Sequence, residues 1–299
     1  MSDTGKKRAK SSENYRICPG HVTGLLGTDV SESLSPRLHN LVYKRKNISA
    51  FYKAFALHQE VFFSALKGLE VLTFTGINLT YPFKEMVISE LDELGEMAEE
   101  VGAVNTVHFE NGLKKGFNTD VVALERLFSQ WFSGENSSIG VLLLGAGGAA
   151  RAVTASLCYG ISPVNLQIFV ANRTPKRAER LADDLLVESC ANWQIVSWKK
   201  EDISALISEV DLIVDATPLG WKGELFPGAE EIESHQRIFD LSYPYPPSAL
   251  MKLARKKGCR RENGLRMLVY QAEVAHKIWF EEVDFPLDLL PRERYITME

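Results

Sequence analysis

Ile139-Gly-Val-Leu-Leu-Leu144-Gly145-Ala146-Gly147-Gly148-Ala149-Ala150 is the stretch whose reading decides the fold. Ile139 to Leu144 is a nearly unbroken apolar run, as expected of a strand buried on both faces. Gly145, Gly147 and Ala150 then match G-x-G-x-x-G/A, and helical sequence continues to Tyr159. The first glycine permits a tight turn, and the second lets backbone N–H groups approach a pyrophosphate. The third small residue lets helix and strand pack closely, and the helix N-terminus favours an anion. A glycine-rich turn alone is equally a bare strand–helix junction. Here the strand, the helix and a following strand (Leu166 to Ala171) stand in order, which predicts a Rossmann-type dinucleotide site with Gly145, Ala146, Gly147, Gly148 and Ala149 along the phosphates.

The end of that second strand bears on the choice of dinucleotide. NAD sites usually carry Asp or Glu there for the ribose 2′-hydroxyl. This chain has Asn172-Arg173-Thr174, followed by Lys176 and Arg177. Guanidinium groups suit a 2′-phosphate through charge-assisted, often bidentate bonds. Positive charge is otherwise unfavourable at a helix start. The tip therefore favours NADP over NAD.

Outward from this unit, Val121 to Phe132 reads as a helix and Ser133 to Ser138 as a linker-like loop. Lys176 to Glu188 reads as a helix, and Leu212 to Ala216 and Arg237 to Leu241 as strands. Towards the N-terminus, strands are expected at Val22–Leu26, Ser49–Ala56, Thr75–Leu79 and Ala103–Phe109. Helices are expected at Pro36–Lys44 with Ser35 as N-cap, at Val61–Leu69, and at Phe83–Leu94 after Pro82. Asn111-Gly112 is a hairpin turn signal, with the return strand beginning near Gly116. Leu265 to Phe280 reads as a long amphipathic helix, which we assign to the first domain, although periodicity alone does not place it. The expected fold class is α/β with two domains. Residues 17–119 with 265–299 form an N-terminal α/β substrate domain completed by the C-terminal helix, 120–264 form a Rossmann-type NADP-binding domain, and 1–16 form a disordered tail.

The bulk composition narrows the function classes. The 299 residues are 45% hydrophobic and carry a formal net charge of −5. So acidic a chain lacks the basic face a general nucleic-acid binder needs. No apolar run approaches the roughly 18 residues of a membrane span. Met1 to Arg16 has no apolar core of a secretory signal. Cys18, Cys158, Cys190 and Cys259 show no C-x-x-C spacing, which argues against a disulfide framework or a metal site and for a reducing cytoplasm. The expected partners are a small-molecule substrate, no nucleic acid and no membrane, for a monomer or homodimer.

Polar motifs cluster outside the nucleotide unit. They are Ser33-Leu-Ser35-Pro36 with His39-Asn40, Asn78-Leu-Thr80-Tyr-Pro-Phe-Lys84, Ala103-Val-Asn105-Thr106 and Gly116-Phe-Asn118-Thr-Asp120. Singly, each has an ordinary structural reading: Ser35 caps a helix, Lys84 is a surface lysine, Asn105 edges a strand, and Asp120 caps the helix from Val121. Together, hydroxyls, amides, one lysine and one aspartate suit a small polyhydroxylated acid held at the carboxyl ends of the strands.

From about Gly24 to Trp279 these motifs, in this order, resemble the shikimate dehydrogenase family. The resemblance extends through Asn172-Arg-Thr174, Ala216-Thr-Pro-Leu-Gly220, Asp240-Leu-Ser-Tyr-Pro-Tyr-Pro246 and Asn263-Gly-Leu-Arg-Met-Leu-Val-Tyr-Gln-Ala272. It implies reversible NADPH-dependent reduction of 3-dehydroshikimate to shikimate. It implies Lys84 and Asp120 as the catalytic pair, and Ser33, Ser35 and Tyr243 at the substrate carboxylate. Thr80, Asn105 and Gln271 would take ring hydroxyls or the reacting oxygen. Glu96, Asn172, Arg173, Thr174, Arg177, Leu241 and Gly264 would join the glycine turn around NADP, and no metal is implied. The chain departs from the family pattern at Glu32, at Asp215 where Asn is usual, and at Trp221 where Met is usual. The last two bear on nicotinamide affinity. Two alternatives stand beside this reading. A quinate/shikimate dehydrogenase using NAD would want an acidic second-strand tip, and an aminoshikimate-type relative stays open as well. A catalytically inactive ligand-sensing relative could dispense with Lys84 and Asp120.

Overall fold

The computed structural model describes residues 20–132, 138–160, 165–185 and 190–281, together with 285, 290 and 294–296. The N-terminal tail and most of the Ser133–Ser138 loop lie outside the described residues. The first half of the chain runs β1 (His21–Gly27), α1 (Ser35–Arg45), β2 (Ala50–Ala56), α2 (Phe62–Val71), β3 (Gly76–Leu79), α3 (Phe83–Met86), β4 (Glu93–Leu94), α4 (Glu96–Val101), β5 (Thr106–Glu110) and β6 (Leu113–Phe117). These strands form a mixed sheet in the order β2-β1-β3-β5-β6-β4. Its β1, β2 and β3 are parallel, and β5 and β6 form an antiparallel hairpin. At the hairpin turn both Asn111 and Gly112 take positive φ, which suits the twist of the strands they join.

Several expectations are corrected here. The stretch Phe83–Leu94 is not one helix: α3 is a single turn, Val87–Glu90 is a 3-10 turn, and Glu93–Leu94 is a short strand beside β6. Backbone pairing wins over helical pattern, because Asp92 N–H donates to Lys114 O at 2.9 Å and Gly95 N–H to Gly116 O at 2.8 Å. The return strand begins at Leu113, ahead of Gly116. Ser35 is the first residue of α1 rather than its cap, and the Ser33 hydroxyl accepts its N–H at 3.2 Å. Likewise Asn118, not Asp120, caps the next helix.

The second half runs α5 (Thr119–Trp131), β7 (Ile139–Leu144), α6 (Gly148–Gly160), β8 (Leu166–Ala171), α7 (Pro175–Asp184), β9 (Asn192–Val196), α8 (Lys200–Ile207), β10 (Leu212–Asp215), α9 (Leu219–Lys222), β11 (Arg237–Asp240), α10 (Ala249–Lys257), β12 (Arg260–Asn263) and α11 (Leu265–Phe280). Its six strands are all parallel, ordered β12-β11-β10-β7-β8-β9. The chain builds outward from β7 to one side, crosses over, and builds outward from β10 to the other. That is the doubly wound topology, and β7 lies at its switch point. The apolar run supplies both cores: Val141 and Leu143 face a cluster with α5, α6 and α7, while Leu142 and Leu144 face one with α8 and α10. Each such fully buried side chain contributes about 1.5–3 kcal/mol.

The helix expected at Leu265–Phe280 is α11, with those bounds. It is buried beyond one stripe. Met267 and Tyr270 join the cluster of α5 and α6, and Leu265, Leu268 and Val269 pack with α1. Trp279 donates to Val107 O of β5 at 3.1 Å. The expectation of unpaired cysteines fails at one pair. Cys158 on α6 and Cys190 before β9 are disulfide-bonded, because the fold sets their Cα atoms 5.5 Å apart, while Cys259 is free and buried. Among the described residues no helix is long and apolar enough to cross a membrane.

Candidate active site

Lys84 and Asp120 come from different halves of the chain and meet. Lys84 lies in the single turn α3, just after β3, and its backbone is tied down by Val104 N–H donating to Lys84 O at 2.8 Å. Asp120 is the second residue of α5, a position where the helix dipole favours a carboxylate. The Asn118 side chain fixes that end of the helix by accepting the N–H groups of Asp120 and Val121, each at 3.2 Å. Lys84 Nζ donates to Asp120 Oδ2 at 2.6 Å, with both side chains largely buried.

A run of amides and hydroxyls lies beside this pair. Asn105 Oδ1 accepts Thr119 N–H at 2.8 Å and the Thr106 hydroxyl at 3.1 Å, while Asn105 Nδ2 donates to Thr119 Oγ1 at 2.9 Å. The Thr119 hydroxyl reaches Gln271 Oε1 at 3.4 Å, and Asn78 Nδ2 donates to Thr106 Oγ1 at 2.9 Å. With its oxygen saturated, Asn105 keeps one N–H beyond the one given to Thr119. Thr80 is half-buried at the end of β3, its N–H bonded to Leu26 O.

Ser33, Ser35 and Tyr243 also converge. The Tyr243 hydroxyl is enclosed against the Ser33 side chain and the Leu34 backbone, and burial pushes its pKa up. Trp221 stands edge-on to the Tyr243 ring at 4.8 Å.

The glycine turn lies across from Lys84. Gly145 has φ +105°, a conformation that L side chains resist, and its N–H donates to Ala171 O at 2.9 Å. Ala146 to Ala149 are partly exposed, and no heavy atom lies within 4 Å of where a Cβ on Gly147 would stand. Beyond them, Asn172 Nδ2 donates to Thr174 O at 2.8 Å, while Arg173, Thr174 and Arg177 are exposed. Neither guanidinium group makes an ion pair among the described residues. Leu241 and Gly264 touch, the glycine seated against the Leu241 backbone. Glu96 is exposed at the start of α4, one residue before Met97, which packs on the α6 cluster. Open backbone N–H groups at a helix start and unpaired cations at the second strand tip fit a phosphorylated dinucleotide.

Asp215 lies deeper than a residue flanking the cofactor face would. It is 1% exposed, its Oδ1 accepts Thr217 N–H at 2.9 Å and the Thr217 hydroxyl at 2.6 Å, and it pairs in register with Asp240 on β11. Burial, then the charge of Asp240, pushes its pKa up to about 7.

Lys84 ties the two halves together. A Cβ on Gly148 would stand 3.0 Å from Lys84 Cδ and 3.2 Å from Lys84 Cβ, so the lysine stem lies on the first residue of α6. The family model described as shikimate dehydrogenase substrate binding domain matches residues 25–107, and the model described as shikimate / quinate 5-dehydrogenase matches residues 127–246. The shikimate dehydrogenase (NADP(+)) of Methanopyrus kandleri is 35% identical over 278 residues, which is 90% of this chain and 93% of that one. This chain belongs to the shikimate dehydrogenase family. Among solved members, the Aquifex aeolicus shikimate dehydrogenase superposes with TM-score 0.78 at 33% identity, covering 90% of this chain and 95% of that one. The Thermus thermophilus shikimate 5-dehydrogenase, solved with NADP(H) and shikimate, superposes with TM-score 0.72 at 30% identity, covering 88% and 94%.

Within this family frame, the sequence reading passed over Asn78, Thr106 and Thr119. Each stood inside a quoted motif, and what was missing was the cross-strand contact that joins them. It also passed over Arg151, whose guanidinium donates to Val101 O at 3.0 Å and pairs with Asp184, bracing α6 against α4. Gly148→Ala is expected to lower kcat about tenfold by displacing the Lys84 stem. The thermal midpoint should stay nearly constant, and an unchanged kcat would separate Gly148 from Lys84 placement.

Proposed function

We propose that this chain catalyses the reversible reduction of 3-dehydroshikimate to shikimate with NADPH. The observation that carries it is the Lys84–Asp120 ion pair, with the lysine stem lying against Gly148 of the glycine turn. This brings an ammonium group and a dinucleotide turn to one cleft. Residues 17–119 with 265–299 form the substrate-binding unit in this reading, and 120–264 the NADP-binding unit.

NADPH, when bound, supplies hydride to the ketone carbon of the substrate. Gly145 to Ala149 would hold its pyrophosphate, Arg173 and Arg177 with Asn172 and Thr174 would hold the 2′-phosphate, and Leu241, Gly264 and Glu96 would border it. The chain's own residues do the rest. Ser33, Ser35 and Tyr243 grip the substrate carboxylate. Asn105 offers its remaining N–H, and Thr80 and Gln271 complete the grip on the ring oxygens. As the carbonyl oxygen gains negative charge, the Lys84 ammonium stabilises it and delivers the proton from Nζ. Asp120 holds Nζ in position and accepts from a substrate hydroxyl.

The deciding assay follows dinucleotide reduction with shikimate and with quinate, each with NADP⁺ and with NAD⁺. Turnover of shikimate with NADP⁺ as the better pair is the expected result. Preference for quinate with NAD⁺ would replace this reading, and turnover of neither substrate would remove it. Arg173→Ala is expected to weaken NADP⁺ by about ten- to a hundredfold in kcat/KM, the range of one hydrogen-bonded charge, while leaving NAD⁺ nearly unaffected. Equal losses with both dinucleotides would take Arg173 off the 2′-phosphate.

A further inference from the structure

Arg294 lies beyond α11, outside every motif discussed above, where the chain returns to the end of β12. Asn263, the last residue of that strand, holds the returning segment. Its Nδ2 donates to Arg294 O at 2.8 Å, its N–H donates to Ile296 O at 3.0 Å, and its Oδ1 accepts Ile296 N–H at 3.4 Å. Tyr295, between those two residues, packs in the same apolar cluster as Tyr243 and Leu34. Leu34 stands between Ser33 and Ser35, so the segment is seated at the carboxylate end of the proposed substrate site.

The Arg294 guanidinium group lies over the Tyr245 ring, 5.4 Å from its centroid. Its Nε is enclosed by the protein and has no hydrogen-bond partner among the described residues. Buried N–H donors are nearly always paired, and an unpaired one weakens the folded state. A ligand that brings an acceptor would pair it, and the surroundings indicate which ligand. Burial pushes the Tyr243 pKa up, and the Arg294 charge is among the influences that pull it back. Ser33, Ser35 and Tyr243, read above as gripping the substrate carboxylate, offer only neutral hydroxyls. Exposed Glu32 beside them carries the same sign of charge as the substrate. A guanidinium–carboxylate bond is roughly twice as strong as one between neutral groups, and none of those three residues can make it.

We propose that Arg294 is a substrate-binding residue, whose guanidinium group completes the hydroxyl grip of Ser33, Ser35 and Tyr243 on the substrate carboxylate. The proposal rests on the substrate-site reading given above. It makes the segment after α11 part of the site, and it gives Asn263 a task, which is to seat that segment.

Arg294→Met removes the charge and keeps an unbranched stem. The expected result is a KM for shikimate raised about ten- to a hundredfold, the worth of one hydrogen bond to a charged group. kcat and KM for NADP⁺ should stay close to wild type, because the carboxylate is held equally in the ground and transition states. The thermal midpoint should be no lower, since the variant deletes an unpaired buried donor, whereas loss of a purely structural arginine would lower it. Methyl shikimate, the neutral ester, isolates the charge. Wild type should take the ester far more weakly than the acid, and Arg294→Met should distinguish the two much less. Arg294→Lys keeps the charge without the planar fork, so it should lie between them, and it serves if the methionine variant does not fold. An unmoved KM in Arg294→Met, or an undiminished preference for acid over ester, overturns the proposal alone, since shikimate turnover by the wild type still upholds the substrate reading. A wild type that turns over neither compound overturns the substrate reading, and this proposal with it.

Discussion

Lys84→Ala is expected to lower kcat for shikimate oxidation by on the order of a thousandfold, with KM for shikimate and NADP⁺ changed only a few-fold. The magnitude follows from two contributions that the ammonium makes. Loss of one preorganised group at a developing oxyanion costs about 10²–10³ in kcat. Loss of a positioned proton donor typically costs about 10²–10⁴, and one residue performing both tasks does not lose the full product. The ground state should need Lys84 less, because Ser33, Ser35, Tyr243 and Asn105 are the residues proposed to hold the substrate elsewhere. The fold should survive, since Asp120 keeps the favourable field of the α5 N-terminus and the Asn118 cap. Lys84→Met refines the test. It retains a stem of similar length against Gly148 while deleting the charge, so it should be nearly as slow as Lys84→Ala. Steady-state rates of both variants decide the matter. Near-normal turnover in either would sink the assignment, and recovery in Lys84→Met alone would make the lysine a packing element.

The nucleotide half was more legible in the sequence than the substrate half, for a physical reason. A parallel strand covered on both faces has to be apolar throughout, so Ile139–Leu144 and Leu166–Ala171 announce themselves, and the turn between them needs glycine. Edge strands lack that requirement. Asn192–Val196 is largely exposed along β9, and its residues carry no apolar run. Arg260–Asn263 forms β12 with two arginines, so it does not read as a strand. The break at Val87 was hidden because Phe83–Leu94 has a helical pattern, and only pairing with β6 pulls its end into the sheet. At the site, Lys84 and Asp120 were legible as motif residues, but their 2.6 Å contact joins segments that follow two different strands, β3 and β6, and has no signature in local spacing. The disulfide escaped for the same reason: 32 residues separate Cys158 from Cys190, and proximity is set by how α6 returns toward β9.

Asp215→Asn is expected to stabilise the protein, and to do so increasingly as pH rises from 5 to 8. The carboxyl group is held up at about 7, against 3.8 for an ordinary aspartate, first by burial and then by Asp240, with the Thr217 hydrogen bonds pulling the other way. Its folded pKa therefore lies above the unfolded value. Between those two values the folded protein keeps a proton that the unfolded chain has released, so stability falls as pH climbs through the window. Above about pH 7 the group is ionised in both states, and the cost of placing that charge beside Asp240 is fully felt. At about 1.4 kcal/mol per unit, the shift amounts to on the order of 4 kcal/mol. Asparagine cannot ionise, yet its Oδ1 can still accept from Thr217 N–H and the Thr217 hydroxyl, so the loop into α9 keeps its anchor. A thermal midpoint higher by several degrees is expected at pH 8, shrinking towards zero near pH 4. A gap that does not grow with pH would mean that the folded protein does not hold the Asp215 pKa above its unfolded value. The same titration should reach the cofactor side, because Gly145 lies against Ala216 and Thr217. Wild-type affinity for NADP⁺ should weaken above neutral pH, while that of Asp215→Asn should not, and dinucleotide titrations at pH 6 and pH 8 separate this from any loss of charge on Lys84.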